Sequence, residues 1–332
     1  VTLTAAVAVD VGGTKIRAGS VIDGRLAHVR SVPTPATAGA QAVLDTIAEV
    51  AATVIAETSG SGGADSAWRI GVGAAGVIDP ATGVVVSATD SLTGWAGTDL
   101  VSELSARTGL HVRAVNDVHA HALGESFAGA SRGTRSSLLV AAGTGIGGGF
   151  IADGRLLTGR NSAAGHIGHV PSAAAAGLDC PCGGTGHVEA IASGPAILAT
   201  YQRLIGRDDS PTSAPAPESN PAPVPANTRE LAAAASAGDP LAVRSFDMGA
   251  RALGSALGGI ANILSPEVIV IGGGLAEMDE TWWTPLRAAF AAELIPATAG
   301  APLVKAELGQ DAALIGAASL WDDEPGRKKE TH

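Results

Sequence analysis

The chain has 332 residues, 46% of them hydrophobic, which is enough to fill two cores and too much for one small one. Its 21 Lys and Arg stand against 32 Asp and Glu, a net charge of −11, so nothing in it would displace the counterions of a phosphate backbone; the charge disfavours nucleic acid and anionic membrane as partners, and neither is expected. No apolar run reaches bilayer length, and the apolar residues Val1 to Val9 lack a basic leader and run into Asp10 and Gly12, which reads as a buried strand and not as a signal peptide.

Ala5 to Val9 is the first predicted strand, followed by a glycine loop (Gly12, Gly13, Thr14, Lys15), a second strand and Asp23-Gly24, a dipeptide that reverses a hairpin. Val43, Leu44, Ile47, Val50, Ala51, Val54 and Ile55 recur at helical spacing and predict an amphipathic helix over 40–58, ended by a flexible stretch from Ser59 to Gly63. A short strand, Val112 to Val115, delivers Asn116 and Asp117 to the start of a helix expected to turn Ala120, Leu123 and Phe127 inward. The opening device then returns. Gly13, Thr14, Ile16, Gly19, Asp23, Gly24, Arg25 and Leu26 recur 130 positions later as Gly143, Thr144, Ile146, Gly149, Asp153, Gly154, Arg155 and Leu156, after a strand from Leu138 to Ala142. The only cysteines, Cys180 and Cys182, are too close together for an ordinary disulfide and suit metal ligation in a reducing cytoplasm. Residues 210–227, rich in Pro, Ala and Ser, read as a solvated surface insertion, after which Asn227 and Glu230 form a capping box that restarts helix. Asp239 caps a long helix with Pro240 in its first turn; Ser265-Pro266 stops it, and a strand from Glu267 to Ile271 enters the triple glycine Gly272, Gly273, Gly274. A last helix is expected from an Asp311 cap through Leu314, Ile315 and Leu320, with a polar tail over 323–332. Strands alternating with helices place the chain in the α/β class.

Glycine loops let main-chain N–H groups approach a polyphosphate. Gly143 to Gly148 spells G-x-G-x-x-G, but a dinucleotide-binding loop must open a helix, whereas Phe150 to Leu157 reads as strand, turn, strand; no G-x-x-x-x-G-K-[ST] occurs either. Two hairpin loops facing one another would clamp one phosphate chain, with Asp10 holding hydrated Mg²⁺ beside it. Asp117, at a strand end, is placed to take the proton of an alcohol while a phosphoryl group arrives, although Asn or Asp here also suits a helix cap.

These residues resemble the ROK family of sugar kinases and repressors, and the resemblance covers nearly the whole chain outside the Pro-rich segment. Asp10-Val-Gly-Gly-Thr-Lys15 is similar to the family's first phosphate motif, Gly143-Thr144-Gly145 with the glycines that follow to its second, and Gly272-Gly273-Gly274 to its adenosine loop. Asn116-Asp117 is similar to its sugar-binding Asn and catalytic Asp. Gly165-His166-Ile-Gly-His169, with Cys180-Pro-Cys182-Gly-Gly-Thr-Gly-His187-Val-Glu189, is similar to its zinc and sugar signature. The resemblance implies a duplicated actin-like ATPase (ribonuclease H-like) fold, with lobes over 1–115 and 116–310, the 311–322 helix packing back on the first. It implies ATP with Mg²⁺, a structural Zn²⁺ on His169, Cys180, Cys182 and His187, and a homodimer. His169 and Glu189 would also border the sugar.

Two departures bear on that expectation. His187 stands where the family usually has a third Cys, and imidazole is itself a good Zn²⁺ ligand. His166 stands where family glucokinases have a Glu that accepts hydrogen bonds from the sugar; with Ala-Gly before it and Glu189-Ala-Ile-Ala-Ser-Gly after the metal loop, the run is similar to bacterial N-acetylmannosamine kinases. Gly76 and Thr89 are similar to sugar-lining positions of those enzymes, while Ser91 replaces an Asn common in glucokinases. The expectation is a cytoplasmic ATP:N-acetylmannosamine 6-phosphotransferase. A glucokinase of the same family is the alternative. The family's repressors place a helix-turn-helix before the first phosphate motif, and only nine residues precede Asp10.

Overall fold

The computed structural model describes residues 5–60, 68–89, 91–208 and 224–322. The opening residues form β1 (Ala5–Val11), β2 (Lys15–Ile22) and β3 (Arg25–Pro33), an antiparallel meander, followed by α1 (Ala40–Gly60). Then come β4 (Arg69–Ala74), a small β5 (Val77–Ile78) and β6 (Val85–Ser87) pair, α2 (Leu100–Thr108), β7 (His111–Asn116) and α3 (Asp117–Ala128). The repeat supplies β8 (Ser137–Ala142), β9 (Ile146–Ala152) and β10 (Arg155–Leu156); α4 (Glu189–Ala192), α5 (Gly194–Asp208), α6 (Thr228–Ser236) and α7 (Pro240–Leu264) follow, and β11 (Val268–Gly272), α8 (Glu280–Glu293), β12 (Leu303–Lys305) and α9 (Asp311–Ser319) end the described chain. One five-stranded sheet has the order β3-β2-β1-β4-β7 and the other β10-β9-β8-β11-β12, so the same topology is built twice, on an actin-like ATPase plan. Both Asp-Gly turns take the mirror-image hairpin geometry, with φ of +50° at Asp23 and at Asp153.

The chain divides into two compact units, the first holding residues 1–139, 149–165 and 306–332 and the second 140–148 and 166–305. Residues 116–139, expected with the second lobe, thus fall with the first. The reason is α3, whose glycine face is pressed on α9: a Cβ on Gly124 would lie 2.0 Å from the Ala312 carbonyl oxygen, and one on Gly316 1.8 Å from that of Ala120. Only residues without a Cβ let two helix backbones approach this closely. Gly71 in β4 meets Ala317 of α9 the same way, at 2.0 Å. In the first unit the core is the apolar stripe of α1 (Val43, Leu44, Ile47, Val50, Ala51, Val54) on the inner faces of β1, β4 and β7, closed by Trp95. α7 carries its buried stripe, including Phe246, Leu253 and Leu257, through the second unit.

The capping chemistry at Asn227, where the side chain accepts from Glu230 N at 3.0 Å, and at Asp239 stands as read. Three expectations change. Phe127 is 40% exposed and lies over Gly24 instead of pointing inward, because it sits in the last turn of α3, beyond the α9 contact. The 40–58 helix continues through Gly60, so Ser59 is helical. The cap of α9 is Gln310, and Asp311 stands one residue inside the helix with its carboxylate on Arg17. The remainder of the stretch expected to be flexible, 61–63, most of the Pro-rich segment and the expected tail lie outside the described residues. Among the described residues no helix is long and apolar enough to cross a membrane.

Gly316→Ala should therefore cost roughly 3 kcal/mol of stability, the upper range for overpacking a rigid contact, since backbone cannot yield as a side chain does. Urea unfolding would show it as a lowered midpoint; an unchanged midpoint would refute the contact.

Candidate active site

In the first unit β1, β4 and β7 run parallel, and the predicted residues collect at their carboxyl ends, the edge where α/β sheets place ligands. Asp10 sits near the end of β1, opposite Arg17 on β2 and beside Gly73 on β4. Gly12 to Thr14 make the following bend, held by Gly12 N donating to Lys15 O at 3.1 Å and by Thr34, whose hydroxyl donates to Gly12 O at 2.7 Å. Lys15 donates through Nζ to Gln310 Oε1 at 2.7 Å.

At the β7–α3 junction Asn116, not Asp117, is the helix cap: its Oδ1 accepts from Val118 N at 2.9 Å and His119 N at 3.1 Å. Its Nδ2 donates to Gly76 O and to Asp117 Oδ1, each at 2.8 Å. Asp117 Oδ1 also accepts from Val118 N at 2.9 Å, and Oδ2 has no partner among the described residues. The cap position is thereby taken by its neighbour, and one carboxylate oxygen of Asp117 is left uncommitted among the described residues. Thr89 and Ser91 share a hydroxyl hydrogen bond of 3.0 Å, and Ser91 Cβ is what a side chain on Gly13 would meet. Trp95, buried, anchors this segment by donating from Nε1 to Ala75 O at 2.9 Å.

Burial and the nearby Asp117 carboxylate push the Asp10 carboxyl up to about 6, against the partial pull of Arg17 and Lys15. Asp10 has no hydrogen-bond partner among the described residues, and a mostly buried, unpaired carboxylate beside a phosphate-binding bend fits a hard divalent cation.

In the second unit Gly143, Thr144 and Gly145 bend between β8 and β9, with Gly143 N donating to Gly145 O at 2.9 Å and Gly143 O accepting from Gly194 N at 2.8 Å. Gly273, at φ +86°, abuts this bend: a Cβ there would lie 2.3 Å from Ala142 O. Gly272 and Gly274 flank it at the end of β11. Glu189, first residue of α4, accepts from Ile146 N at 2.7 Å, so the residue assigned to the sugar also braces the second glycine bend.

His169, Cys180, Cys182 and His187 bring one ligand atom each to within 4.8 Å of one another. Cys180 Sγ lies 3.6 Å from His169 Nδ1 and Cys182 Sγ 3.2 Å from His187 Nδ1, close to the roughly 3.5 Å between sulfur and nitrogen donors on a tetrahedral Zn²⁺. Both cysteines are free thiols. The donor set and its spacing fit zinc. The His166 ring stacks 6.2 Å from that of His169.

Three residues escaped the sequence reading. Glu125, 1% exposed, accepts from Ala130 N, Glu307 N and Leu308 N; a lone acid inside the buried stripe of a helix was its signal. His119 is buried and bonds Ala164 O through Nε2 at 2.8 Å. Arg17 has its place two residues after Lys15 on the loop-facing strand.

A family profile described as the ROK family matches residues 6–324. The glucokinase of Halalkalibacterium halodurans is 36% identical over 319 residues, covering 95% of this chain and 94% of that one. The N-acetylmannosamine kinase of Citrobacter koseri is 33% identical over 314 residues, covering 94% and 97%. Among solved structures, a ROK family glucokinase from Streptomyces griseus in complex with glucose and AMPPNP is 32% identical with a TM-score of 0.75, covering 97% of this chain and 100% of that one.

The raised Asp10 carboxyl makes a stability prediction. Its folded value, about 6, exceeds the ordinary 3.8, so its contribution is complete below pH 3.8 and is lost as pH rises through 6. Asp10→Asn, in metal-free buffer, should stabilise the protein by roughly 3 kcal/mol at pH 8 and by about half of that at pH 5. Denaturant unfolding at both pH values checks it, and a gain that grows on acidification contradicts it.

Proposed function

The chain belongs to the ROK family, and we propose from that premise that it is an ATP-dependent sugar kinase acting on the 6-hydroxyl of N-acetylmannosamine. The observation that carries the kinase reading is Asp117: its neighbour Asn116 caps α3, and its Oδ2 has no partner among the described residues, as a general base requires. Sugar hydroxyls are weak nucleophiles near neutral pH, and a positioned carboxylate that accepts the proton as the phosphoryl group transfers contributes on the order of 10²–10⁴ in rate. Asn116 orients that carboxylate through Nδ2, and with Gly76 and Thr89 it is assigned to the sugar. Asp10 and residues Gly12 to Lys15 are assigned to the nucleotide phosphates, as are Gly143, Thr144 and Gly145; Gly272, Gly273 and Gly274 are assigned to the adenosine. Mg²⁺, when bound, neutralises charge on the transferring phosphates, and Asp10 is the residue here that would hold it.

His169, Cys180, Cys182 and His187 would hold Zn²⁺, whose contribution is a structural cross-link. Bound there, it would hold the segment ending in Glu189, whose carboxylate accepts from Ile146 N of the second glycine bend. His166 and His169, stacked, with Glu189, are assigned to the sugar's far side.

The N-acetyl preference rests on His166. An imidazole with a donor N–H suits an acetamido carbonyl, where a Glu would suit a free hydroxyl. The second reading is glucokinase, and one observation favours it: identity to the Halalkalibacterium halodurans glucokinase, 36%, exceeds that to the Citrobacter koseri N-acetylmannosamine kinase, 33%. The relatives named above, at 32–36% identity, are kinases by name, and a ROK family transcriptional regulator of similar fold is 24% identical, so repression of transcription is not favoured.

A coupled ADP-release assay over N-acetylmannosamine, N-acetylglucosamine, glucose, mannose and fructose should give the highest kcat/KM with N-acetylmannosamine. Asp117→Asn should lower kcat by at least about 10²-fold with every sugar while ATP still binds. Preference for glucose selects the second reading, and undiminished turnover in the variant removes Asp117 as base. Elemental analysis of purified protein should find about one Zn²⁺ per chain; protein that is active and metal-free rules out the structural ion.

A further inference from the structure

Two cations exert their charge on Asp10, namely Arg17 and Lys15. They stand two residues apart on β2 and so on one face of that strand. Arg17 is the direct cross-strand partner of Asp10, a placement in which opposite charges attract and ordinarily pair. Here they do not pair. The Arg17 guanidinium donates through Nη2 to Asp311 Oδ1 at 2.7 Å and through Nη1 to the main-chain oxygen of Gln310 at 2.5 Å, while Lys15 goes to the Gln310 side chain. With its side chain 12% exposed, Arg17 is largely withdrawn from bulk water; the acid it pairs with is Asp311, and Asp10 is its cross-strand neighbour. The segment that presents Gln310 and Asp311 is itself held from inside the unit, because buried Glu125 accepts from Leu308 N at 2.9 Å and from Glu307 N at 3.2 Å. Asp311 also stands past the cap position of α9, so its carboxylate is not spent on the helix N–H groups.

We infer that Asp311 is a positioning residue: it holds the Arg17 guanidinium off Asp10, so that the Asp10 carboxylate stays unpaired and able to take the divalent cation that accompanies the nucleotide. This rests on the assignment of Asp10 to that cation. A carboxylate engaged by a guanidinium has its lone pairs occupied and its charge compensated, and it competes poorly as a ligand for a hard cation. Without Asp311 the released guanidinium closes on Asp10. The strand register thus supplies a clamp that would inactivate the site, and two residues at the start of α9 keep it open.

The inference makes a suppression prediction in a binding experiment that needs no turnover. ADP binding is measured by calorimetry with Mg²⁺ and with EDTA, for wild type, Asp311→Asn, Arg17→Met, the double variant and Asp10→Asn. Asp311→Asn should weaken the Mg²⁺-dependent part of ADP affinity about tenfold, the scale of one charge-assisted hydrogen bond, and leave the EDTA value unchanged. Adding Arg17→Met should restore the Mg²⁺-dependent affinity to within about twofold of Arg17→Met alone, since the competitor is gone. Loss of a merely structural ion pair would instead weaken both conditions alike, and the double variant would be no better than Asp311→Asn; either result overturns the inference. Asp311 is 51% exposed on its side chain, so the single variant is expected to fold, and Arg17→Met gives an independent reference if it does not. If Asp10→Asn keeps the full Mg²⁺ effect, the assignment of Asp10 to the cation fails and the inference falls with it; if Asp10→Asn abolishes the effect while Asp311→Asn matches wild type, the inference alone fails.

Discussion

The backbone contact between α3 and α9 is the constraint from which the chemistry of the first unit follows. Gly124 meets Ala312 and Gly316 meets Ala120 at distances that exclude any side chain, so the two helices have one relative placement and no slack. Each helix begins at the site. α3 starts with Asp117 directly out of β7, and α9 starts with Asp311 on Arg17. Fixing the helices against each other and against Gly71 of β4 therefore fixes an acid at the head of each helix relative to Asp10 on β1. Dispersion and burial make such a glycine contact favourable, but its larger effect is positional, because backbone is far stiffer than side chain.

In the second unit the same logic uses different chemistry. The segment from His166 to Glu189 contains little regular structure, only two short 3₁₀ turns and two isolated bridges, Pro171 with His187 and Asp179 with Thr185. Its backbone bonds are mostly local turns, such as Gly183 N to Cys180 O, joined by a few longer ones, such as Ser172 N to Gly186 O, and a cross-link would add to their order. Four convergent donors from two histidines and two cysteines supply the means for one, and the segment ends on Glu189, whose carboxylate reaches back to Ile146 N. The glycine bend and the Cys/His segment are thereby joined by that hydrogen bond and by the close packing of Gly168 on Ile146, where a Cβ would lie 2.2 Å from the Ile146 carbonyl oxygen.

Much of this was legible from residue pattern. The 130-residue repeat announced two equivalent hairpins, and both Asp-Gly turns have the positive φ that their composition demands. Helical spacing in Val43 to Val54 identified the core face of α1, and Asp239 with Pro240 marked the start of α7. What sequence could not give was whatever depended on pairing between distant segments. Asp311 looked like a helix cap because Asp favours caps; its actual partner, Arg17, lies at the far end of the sequence and becomes visible only when α9 returns to β2. Phe127 matched an inward helical position, but the glycine contact with α9 ends before its turn is reached. Glu125 could be noticed as a lone acid in a buried helix stripe, but its partners could not, since its three main-chain donors come from its own helix end and from residues 307 and 308. The family match covers residues 6–324, whereas the choice of sugar is proposed to turn on side chains such as His166 and cannot be read from the family alone.

The reaction proposed for this site is direct transfer of a phosphoryl group from the nucleotide to a sugar oxygen, Asp117 accepting its proton as the transfer occurs. Phosphorus-31 NMR of the enzyme with ATP, Mg²⁺ and N-acetylmannosamine tests this most directly. The predicted spectrum shows one new phosphomonoester signal, coupled to the C6 protons, growing in equal amount with ADP. ADP accompanied only by inorganic phosphate, with the sugar unchanged, would contradict it.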